Sequence, residues 1–168
     1  NRTNYDLTRH QEYSGERQEY LDSETNEKYI PYIVESTYGL DRTVLAILFN
    51  SYEKETLENG EEREVMHFIP YLAPYKCAVL PLVKKYHSEK AKEIYEKLCK
   101  SFMTSYDESG SIGKRYRRQD AIGTPYCITI DEDTLNNNTV TIRDRDTMEQ
   151  IKLNIDEVED YINSKIKF

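Results

Sequence analysis

The chain has 168 residues, of which 38% are hydrophobic, and a formal net charge of -8. This length is enough for one good hydrophobic core, or for one core with an appended piece. Against such an acidic background, a local excess of cations needs either an anionic partner or a solvent-exposed face.

The cysteines and the apolar runs exclude several classes of protein. The three cysteines contain no C-x-x-C pair, so neither a disulfide framework nor a zinc site is indicated, and reduced thiols in a cytosol are expected. The longest apolar run, residues 77–83, is broken by Pro81 and is far too short to span a bilayer. Because the chain does not begin with methionine, we expect it to be a piece of a longer protein.

The first part of the chain predicts little regular structure before a strand and a helix. Residues 1–28 are polar and rich in tyrosine, with Asn, Asp and Gly at turn positions, which predicts extended segments and loops. The β-branched run at 29–35 predicts a strand that carries Glu35 at its tip. Gly39 permits a close turn, and apolar residues at helical spacing then predict a helix over 40–52.

Three further strands and a helix are predicted beyond an acidic stretch at 57–64. This stretch has the composition of a linker or a hairpin tip, and we place a domain boundary there. The predicted elements are an approach strand at 67–72, a first central strand at 76–80 that ends at Pro81, a helix at 88–104 and a short strand at 105–107.

The most informative stretch is GSIGKRYRRQDAIGTPYCITID, residues 110–131. It begins with a Gly-x-x-Gly turn in which Ser111 is predicted to cap a helix, and Gly123 with the following Thr-Pro is predicted to end that helix. A buried strand is predicted at 126–130. Four cations follow the turn within five residues: Lys114, Arg115, Arg117 and Arg118.

The residue types alone leave the role of this basic helix open between a solvated face and an RNA-binding site. A nucleotide-binding P-loop does not fit, because Glu108 stands where the first glycine is required and Arg115 replaces the required Ser or Thr. The turn also matches the Gly-x-x-Gly loop of KH domains, which clamps an RNA backbone, but four residues make a weak signal.

The end of the chain predicts a turn at 136–138, a strand at 139–142, an alternating charge run at 143–146 and a last helix. Asp156 and Glu159 are a possible capping pair for that helix, whose Val158, Ile162 and Ile166 would close the core. The fold class that follows is α/β, a mixed β-sheet flanked by helices.

No other chemistry stands out. The three histidines, His10, His67 and His87, show neither metal-ligand nor catalytic-triad spacing, so no metal site is predicted. Neither a Ser/His/Asp constellation nor a pair of hydrolase carboxylates is present.

Three separated motifs resemble class II glycyl-tRNA synthetases of the homodimeric type. They are NRTNYDLTRHQ at 1–11, YIPYIVESTYGLDRTVLAIL at 29–48, and the stretch at 110–131 followed by TVTIRDRDTMEQI at 139–151. The resemblance covers essentially the whole chain. It implies that residues 1–60 are the end of a class II catalytic domain, an antiparallel-β plus helix fragment that contains motif 3, and that residues 61–168 are the anticodon-binding domain.

The resemblance also implies substrate-binding roles in the first part. It places Arg2 on the carboxylate of glycine, where a guanidinium fork suits two oxygens, and Glu35 on the α-ammonium. Arg42 matches the motif 3 arginine that lies against ATP and stabilises charge during catalysis. Thr37 stands where many members have a serine that closes the pocket against larger side chains. Without the resemblance, the residue types favour no binding role: Glu35 would be an ordinary acid at the end of a strand, and Arg42 an ordinary arginine in the first turn of a helix.

In the same family, the basic helix and the charge run face the anticodon loop. The predicted contacts with bases or phosphates are Lys114, Arg115, Arg118, Arg143 and Arg145. Glu132 is an outside candidate, since it occupies a position where some relatives carry an aromatic residue that stacks on a base.

The resemblance implies that the full-length protein activates glycine with ATP and Mg²⁺ and transfers it to tRNA-Gly in the cytoplasm. Motifs 1 and 2 are not recognisable here, so we expect this piece alone to bind tRNA without catalysis, to hold no tight cofactor, and to lack the regions that form the enzyme's homodimer. Two alternatives are a noncatalytic RNA-binding module and a polymerase accessory subunit of synthetase descent. Retention of Glu35 and Arg42 argues against both.

Overall fold

A computed structural model of the protein describes residues 3–57 and 59–167. The chain divides into two compact units, Asn1–Val44 and Leu45–Phe168. Among the described residues, no helix has both the length and the apolar character that crossing a membrane would require.

The first unit contains a helix that the sequence did not predict. Helix α1, Tyr5–Ser14, ends at Gly15, whose φ of 73° lets its N–H donate to Gln11 O. The prediction of extended segments and loops at 1–28 is therefore wrong for residues 5–14. No described residue of α1 is buried, so the helix has no apolar face to give a periodic signal. It is supported by local pairs such as Arg9 with Glu12.

The strand predicted at 29–35 is also wrong. Strands β1, Tyr20–Leu21, and β2, Lys28–Tyr29, form a two-residue antiparallel ladder, and residues 30–39 are irregular. A β-branched run becomes a strand only when a neighbour pairs with it, and in the described chain residues 30–35 have one such backbone contact, from Ile33 N–H to Thr3 O. Helix α2, Leu40–Ser51, agrees with the prediction, and the division between the two units falls within it.

In the second unit, an antiparallel hairpin follows the end of α2. Strand β3, Tyr52–Thr56, pairs with β4, Glu62–Met66, so the acidic stretch forms a hairpin tip. The predicted approach strand at 67–72 is wrong, because the strand lies earlier and the chain then turns. Strand β4 alternates exposed and buried positions, and one of the buried positions is Arg63. Because charged residues are typical of exposed linkers, this strand could not be recognised from its composition.

A five-stranded mixed sheet forms the centre of this unit, in the order β6-β5-β7-β8-β9. Strand β5 runs parallel to both β6 and β7, whereas β7, β8 and β9 are antiparallel neighbours. The bounds are β5 Cys77–Pro81, β6 Thr104–Tyr106, β7 Tyr126–Ile130, β8 Thr139–Asp144 and β9 Gln150–Asn154. The predicted mixed sheet flanked by helices is confirmed.

Helices cover both faces of this sheet. The four helices are α3 Lys84–Leu98, α4 Ile112–Ile122, α5 Glu132–Asn137 and α6 Val158–Ile166. The main core joins the sheet to α3 and α6, and a smaller cluster of Ala78, Leu80 and Cys127 on the opposite face meets Ile112 and Tyr116 of α4. Alternate residues of β5 therefore serve two separate cores, which is why the whole strand is buried.

Three local predictions need correction. Helix α3 begins and ends earlier than predicted, and α5 was missed because its residues resemble a polar turn. The predicted capping pair of Asp156 and Glu159 does not form. Instead, Asn154 and Glu157 form a capping box at the short 3-10 turn that precedes α6. Val158 and Ile162 are buried and Ile166 packs against the core, as predicted.

Candidate nucleic-acid interface

Helix α4 begins and ends where the sequence indicated. Gly110 has a φ of 73° and Ser111 occupies the N-cap position in an extended conformation, although its side chain makes no capping hydrogen bond. Gly123 ends the helix with a φ of 81°. A Cβ at Gly123 would lie 2.4 Å from Phe68 Cδ2 and 2.9 Å from Met66 O, so the end of α4 fits closely against the chain after β4.

One of the four cations after the turn faces inward. Arg115 is buried, with 3% of its surface exposed, and donates to Gly110 O at 2.6 Å and to Pro81 O. It therefore ties the turn before α4 to the end of β5. A role in direct RNA contact, as the sequence predicted, would compete with these bonds.

The other three cations lie on the outer side of α4. Lys114 is exposed, and within the described ranges no ion pair or hydrogen bond of this residue is seen. Arg118 donates to Asp107 and to Ser109 O, yet its side chain stays 46% exposed. Arg117 was not among the predicted contacts, and its Nη2 lies 3.2 Å from Glu61 Oε2.

An open groove runs along this side of α4. Its volume is about 700 Å³, and its walls are α4, the tip of the β3–β4 hairpin and the turn between β8 and β9. The lining residues are Glu61, Ser111, Gly113, Lys114, Tyr116, Arg117, Arg118, Arg143 and Met148. Met148 has a φ of 59°, unusual for a residue with a side chain.

A buried ion network lies behind the groove. Asp120 of α4 is fully buried and accepts two bonds from Arg143 of β8, at 2.8 and 3.1 Å, and one from Arg63 of β4, at 3.2 Å. The Arg143 guanidinium also lies 4.8 Å from the centre of the Tyr116 ring, whose hydroxyl is 2.6 Å from Thr129 Oγ1. The network joins the hairpin, α4 and the sheet.

Arg145 belongs to a second set of internal bonds. It is 2% exposed and donates at 2.8 Å to Gly123 O, to Phe68 O and, through two nitrogens, to the Asp146 carboxylate. Arg63 donates in turn to Arg145 O at 3.0 Å. These bonds hold the turn between β8 and β9 against the end of α4.

His67 connects the hairpin to the same turn. Its Nδ1 lies 2.6 Å from Asp146 Oδ1 and its Nε2 lies 2.8 Å from Glu55 Oε1. The bond from Arg63 keeps the pKa of Glu55 below its ordinary value, although burial opposes this. Ligand atoms of Glu53, Glu55 and His67 lie within 4.8 Å of one another, a group that the histidine spacing in the sequence did not indicate.

Glu132 lies at a different place on the sheet. It is the first residue of α5, its side chain is 75% exposed, and its Oε2 lies 3.1 Å from His87 Nε2. Because His87 Nδ1 accepts from Val83 N–H, Nε2 carries the proton and donates to Glu132. A cavity of about 450 Å³ borders these residues and is also lined by Leu82, Tyr86, Asp131 and Asp133.

The predicted glycine and ATP residues belong to the first unit. Arg2 lies outside the described residues. Glu35 and Thr37 lie in the irregular segment 30–39, and Arg42 lies in the first turn of α2; all three are exposed. Their roles stay predictions.

Several residues of the interface were missed by sequence reasoning. Glu61 and Arg63 were only counted in the acidic stretch at 57–64, and Asp120 was given no role. The only local signal was the spacing of Tyr116 and Asp120, which places both on one face of a helix. The partners Arg63 and Arg143 are too distant in sequence to have been connected with them.

These features belong to a known class of domain. Residues 76–165 match the family described as "Anticodon binding domain", and the chain belongs to this family.

More specifically, the chain is similar to glycine-tRNA ligases. It is 59% identical over 167 residues to the enzyme of that name from Clostridium kluyveri, and 58% identical over 167 residues to that from Geobacillus kaustophilus. Each alignment covers 99% of this chain, which spans 36% of the length of these curated relatives.

Solved structures agree in fold. The RNA-binding domain of threonyl-tRNA synthetase from Cryptosporidium parvum matches 59% of this chain and 25% of that one, with a TM-score of 0.55 and 29% identity. Histidyl-tRNA synthetase from Nostoc matches 56% of this chain and 23% of that one, with a TM-score of 0.52 and 16% identity, which supports the fold alone.

Proposed function

We propose that this chain is the tRNA-recognising part of a glycine-tRNA ligase and that it binds the anticodon end of tRNA-Gly. The observation that carries the proposal is the identity of 59% with a glycine-tRNA ligase along 99% of the chain, in a domain of the anticodon-binding family. The cation-lined groove beside α4 supplies a surface with suitable chemistry.

The groove combines the groups that RNA loops require. Lys114, Arg117 and Arg118 stand at its basic wall and suit phosphate oxygens, whereas Tyr116 and Met148 offer apolar surface to an unstacked base. Phosphate contacts fix position, and contacts with base edges provide specificity. An RNA loop is therefore a better partner for this surface than a free phosphate.

The six predicted tRNA contacts divide into two groups under this proposal. Lys114, Arg118 and Glu132 are exposed and keep their proposed direct contacts. Arg115, Arg143 and Arg145 are buried and already donate to protein acceptors, so we assign them to holding the turn, the sheet and the β8–β9 loop in place.

The proposal extends to the longer protein. Its reaction would join glycine to tRNA-Gly with ATP and Mg²⁺ as substrate and ion, in the cytoplasm and as a homodimer. Glu35 and Thr37 would contribute to the glycine pocket together with Arg2, and exposed Arg42 has donor chemistry that suits a phosphate. Residues 1–60 would belong to the catalytic domain and 61–168 to the anticodon-binding domain.

A filter-binding assay with the full chain tests the recognition of the anticodon. We expect tRNA-Gly to bind more tightly than the same tRNA with a changed anticodon, at both low and moderate salt, because the difference lies in base contacts and not in phosphate contacts. Equal binding of the two tRNAs would contradict the proposal. Class II motifs in the sequence upstream would separate an enzyme from a noncatalytic module.

A further inference from the structure

The tip of the β3–β4 hairpin holds one carboxylate over the basic wall of the groove. Glu61 N–H donates to Asn59 Oδ1 at 3.0 Å, and Leu57 N–H donates to Glu61 O at 2.8 Å, so the backbone of Glu61 is fixed. Its side chain is 66% exposed and reaches Arg117 at 3.2 Å.

The position of this tip relative to α4 is set by buried contacts. Arg63, two residues along the hairpin, is paired with Asp120 on α4, and their side chains are 1% and 0% exposed. A buried, paired charge of this kind permits little freedom of the backbone around it. The Glu61–Arg117 contact is therefore a consequence of how the hairpin docks.

The other two cations on the outer side of α4 differ in whether an acidic side chain pairs with them. Arg118 is paired with Asp107, which is 15% exposed and does not line the groove, and Lys114 stands without an ion pair in the described part of the chain. Among the described residues that line the groove, Glu61 is the acidic one. An exposed pair with such open partners breaks readily in water.

Building on the proposed function, we propose that Glu61 competes with RNA for Arg117. In the free chain the Glu61 carboxylate is paired with the Arg117 guanidinium, and in the complex a phosphate of the RNA takes the place of the carboxylate. The competition lowers the affinity of the groove for any polyanion. Since a phosphate contact carries no sequence information, this loss is the same for tRNA-Gly and for other RNAs, so Glu61 sets the strength of phosphate binding in the groove and leaves discrimination to base contacts.

The substitution Glu61→Gln in the full chain tests this role, with Glu62→Gln as a matched control. Glu62 is the neighbouring residue, carries the same charge and pairs with Lys54 away from the groove. We expect E61Q to increase the affinity for tRNA-Gly and for tRNA with a changed anticodon alike, by about threefold to fivefold. The slope of log K against log salt should steepen by up to about 0.7, equivalent to one more phosphate contact. E62Q should change neither affinity by more than about 1.5-fold.

A double substitution makes the role of Arg117 explicit. If Glu61 acts by occupying Arg117, then E61Q should have no effect in a chain that already carries Arg117→Gln. Unchanged or weaker binding by E61Q, equal effects of E61Q and E62Q, or an undiminished effect of E61Q in the R117Q background would each overturn the inference.

The same assay separates this inference from the proposed function. If the wild-type chain failed to distinguish the two tRNAs, the proposed anticodon recognition would be wrong, and the ratio of E61Q to wild-type affinity for any RNA would still report the competition. If the wild-type chain distinguished the tRNAs but E61Q matched it in affinity and salt slope, only the competition would be wrong.

Discussion

Asp120 on α4 and Arg143 on β8 form a two-point ion pair inside the second unit, with N–O distances of 2.8 and 3.1 Å. Their side chains are 0% and 6% exposed. Since Arg63 binds the same carboxylate, this acid joins the hairpin, the basic helix and the sheet. The walls of the proposed RNA groove are positioned by residues that RNA does not need to touch.

Substitution of Asp120 by Asn should destabilise the chain strongly. The change leaves the buried guanidinium of Arg143 without its counter-charge and removes one of the two carboxylates that Arg63 binds, so we expect the free energy of unfolding to fall by about 3–5 kcal/mol. Urea denaturation followed by circular dichroism measures this. Asp133→Asn is the control, because Asp133 pairs with Lys152 at the surface and should cost at most about 1 kcal/mol. Similar losses in the two variants would refute the structural role of the network.

Lys114 provides the clearest test of the basic wall. Lys114→Gln should weaken the binding of tRNA-Gly and of the anticodon variant alike and reduce the salt slope by about 0.7, because one phosphate contact is lost. Thermal unfolding should be unchanged, since the residue is exposed. Lys92→Gln, an exposed lysine on α3, is the control. Equal effects at both positions would indicate a general charge effect.

Gly123 and Gly60 form a matched pair, because each has a φ of 81°. Alanine at either position should cost about 1–2 kcal/mol for the left-handed conformation. The new Cβ at Gly123 meets Phe68 and Met66, whereas no atom of the described residues lies within 4 Å of a Cβ at Gly60. We therefore expect Gly123→Ala to lower the free energy of unfolding by about 1–3 kcal/mol more than Gly60→Ala. Equal losses would contradict the close packing after α4.

Glu108 should contribute a pH-dependent part of the stability. Bonds from Lys84, Tyr106 and Ser88 lower its pKa from 4.5 to about 2. A carboxyl whose pKa is lower in the folded state stabilises fully above its unfolded pKa and loses this contribution as the pH falls towards the folded value. The difference in urea midpoint between wild type and Glu108→Gln should therefore shrink between pH 4.5 and about 2. A constant difference across this window would contradict it.

Local signals in the sequence were sufficient for much of the sheet and for α4. The strand β7 is predicted from its own apolar run and the end of α4 from Gly123, and both predictions agree with the structure. Helix α1 was not predicted, because an exposed helix does not need apolar residues at helical spacing. Short α5 was hidden by its Asp, Thr and Asn residues, which also favour turns.

The arginines of the charge run show why the site was harder to predict. An alternating run of Arg and Asp predicts solvent-exposed side chains, yet Arg143 and Arg145 are only 5% and 2% exposed. Their partners, Asp120 and the carbonyl oxygens of Phe68 and Gly123, lie on other elements. Which arginines face outward is decided by these tertiary contacts, and no periodicity within the run encodes it.

The order of the elements has a consequence for synthesis on the ribosome. Strand β8, which carries Arg143, follows α4 in the chain, so the basic helix emerges before the main partner of Asp120 exists. Until then, Arg63 is the only member of the network available to that carboxylate. We expect α4 to dock late during translation, after the antiparallel β7–β8 pair has closed, and an RNA-competent surface to mature only at that stage.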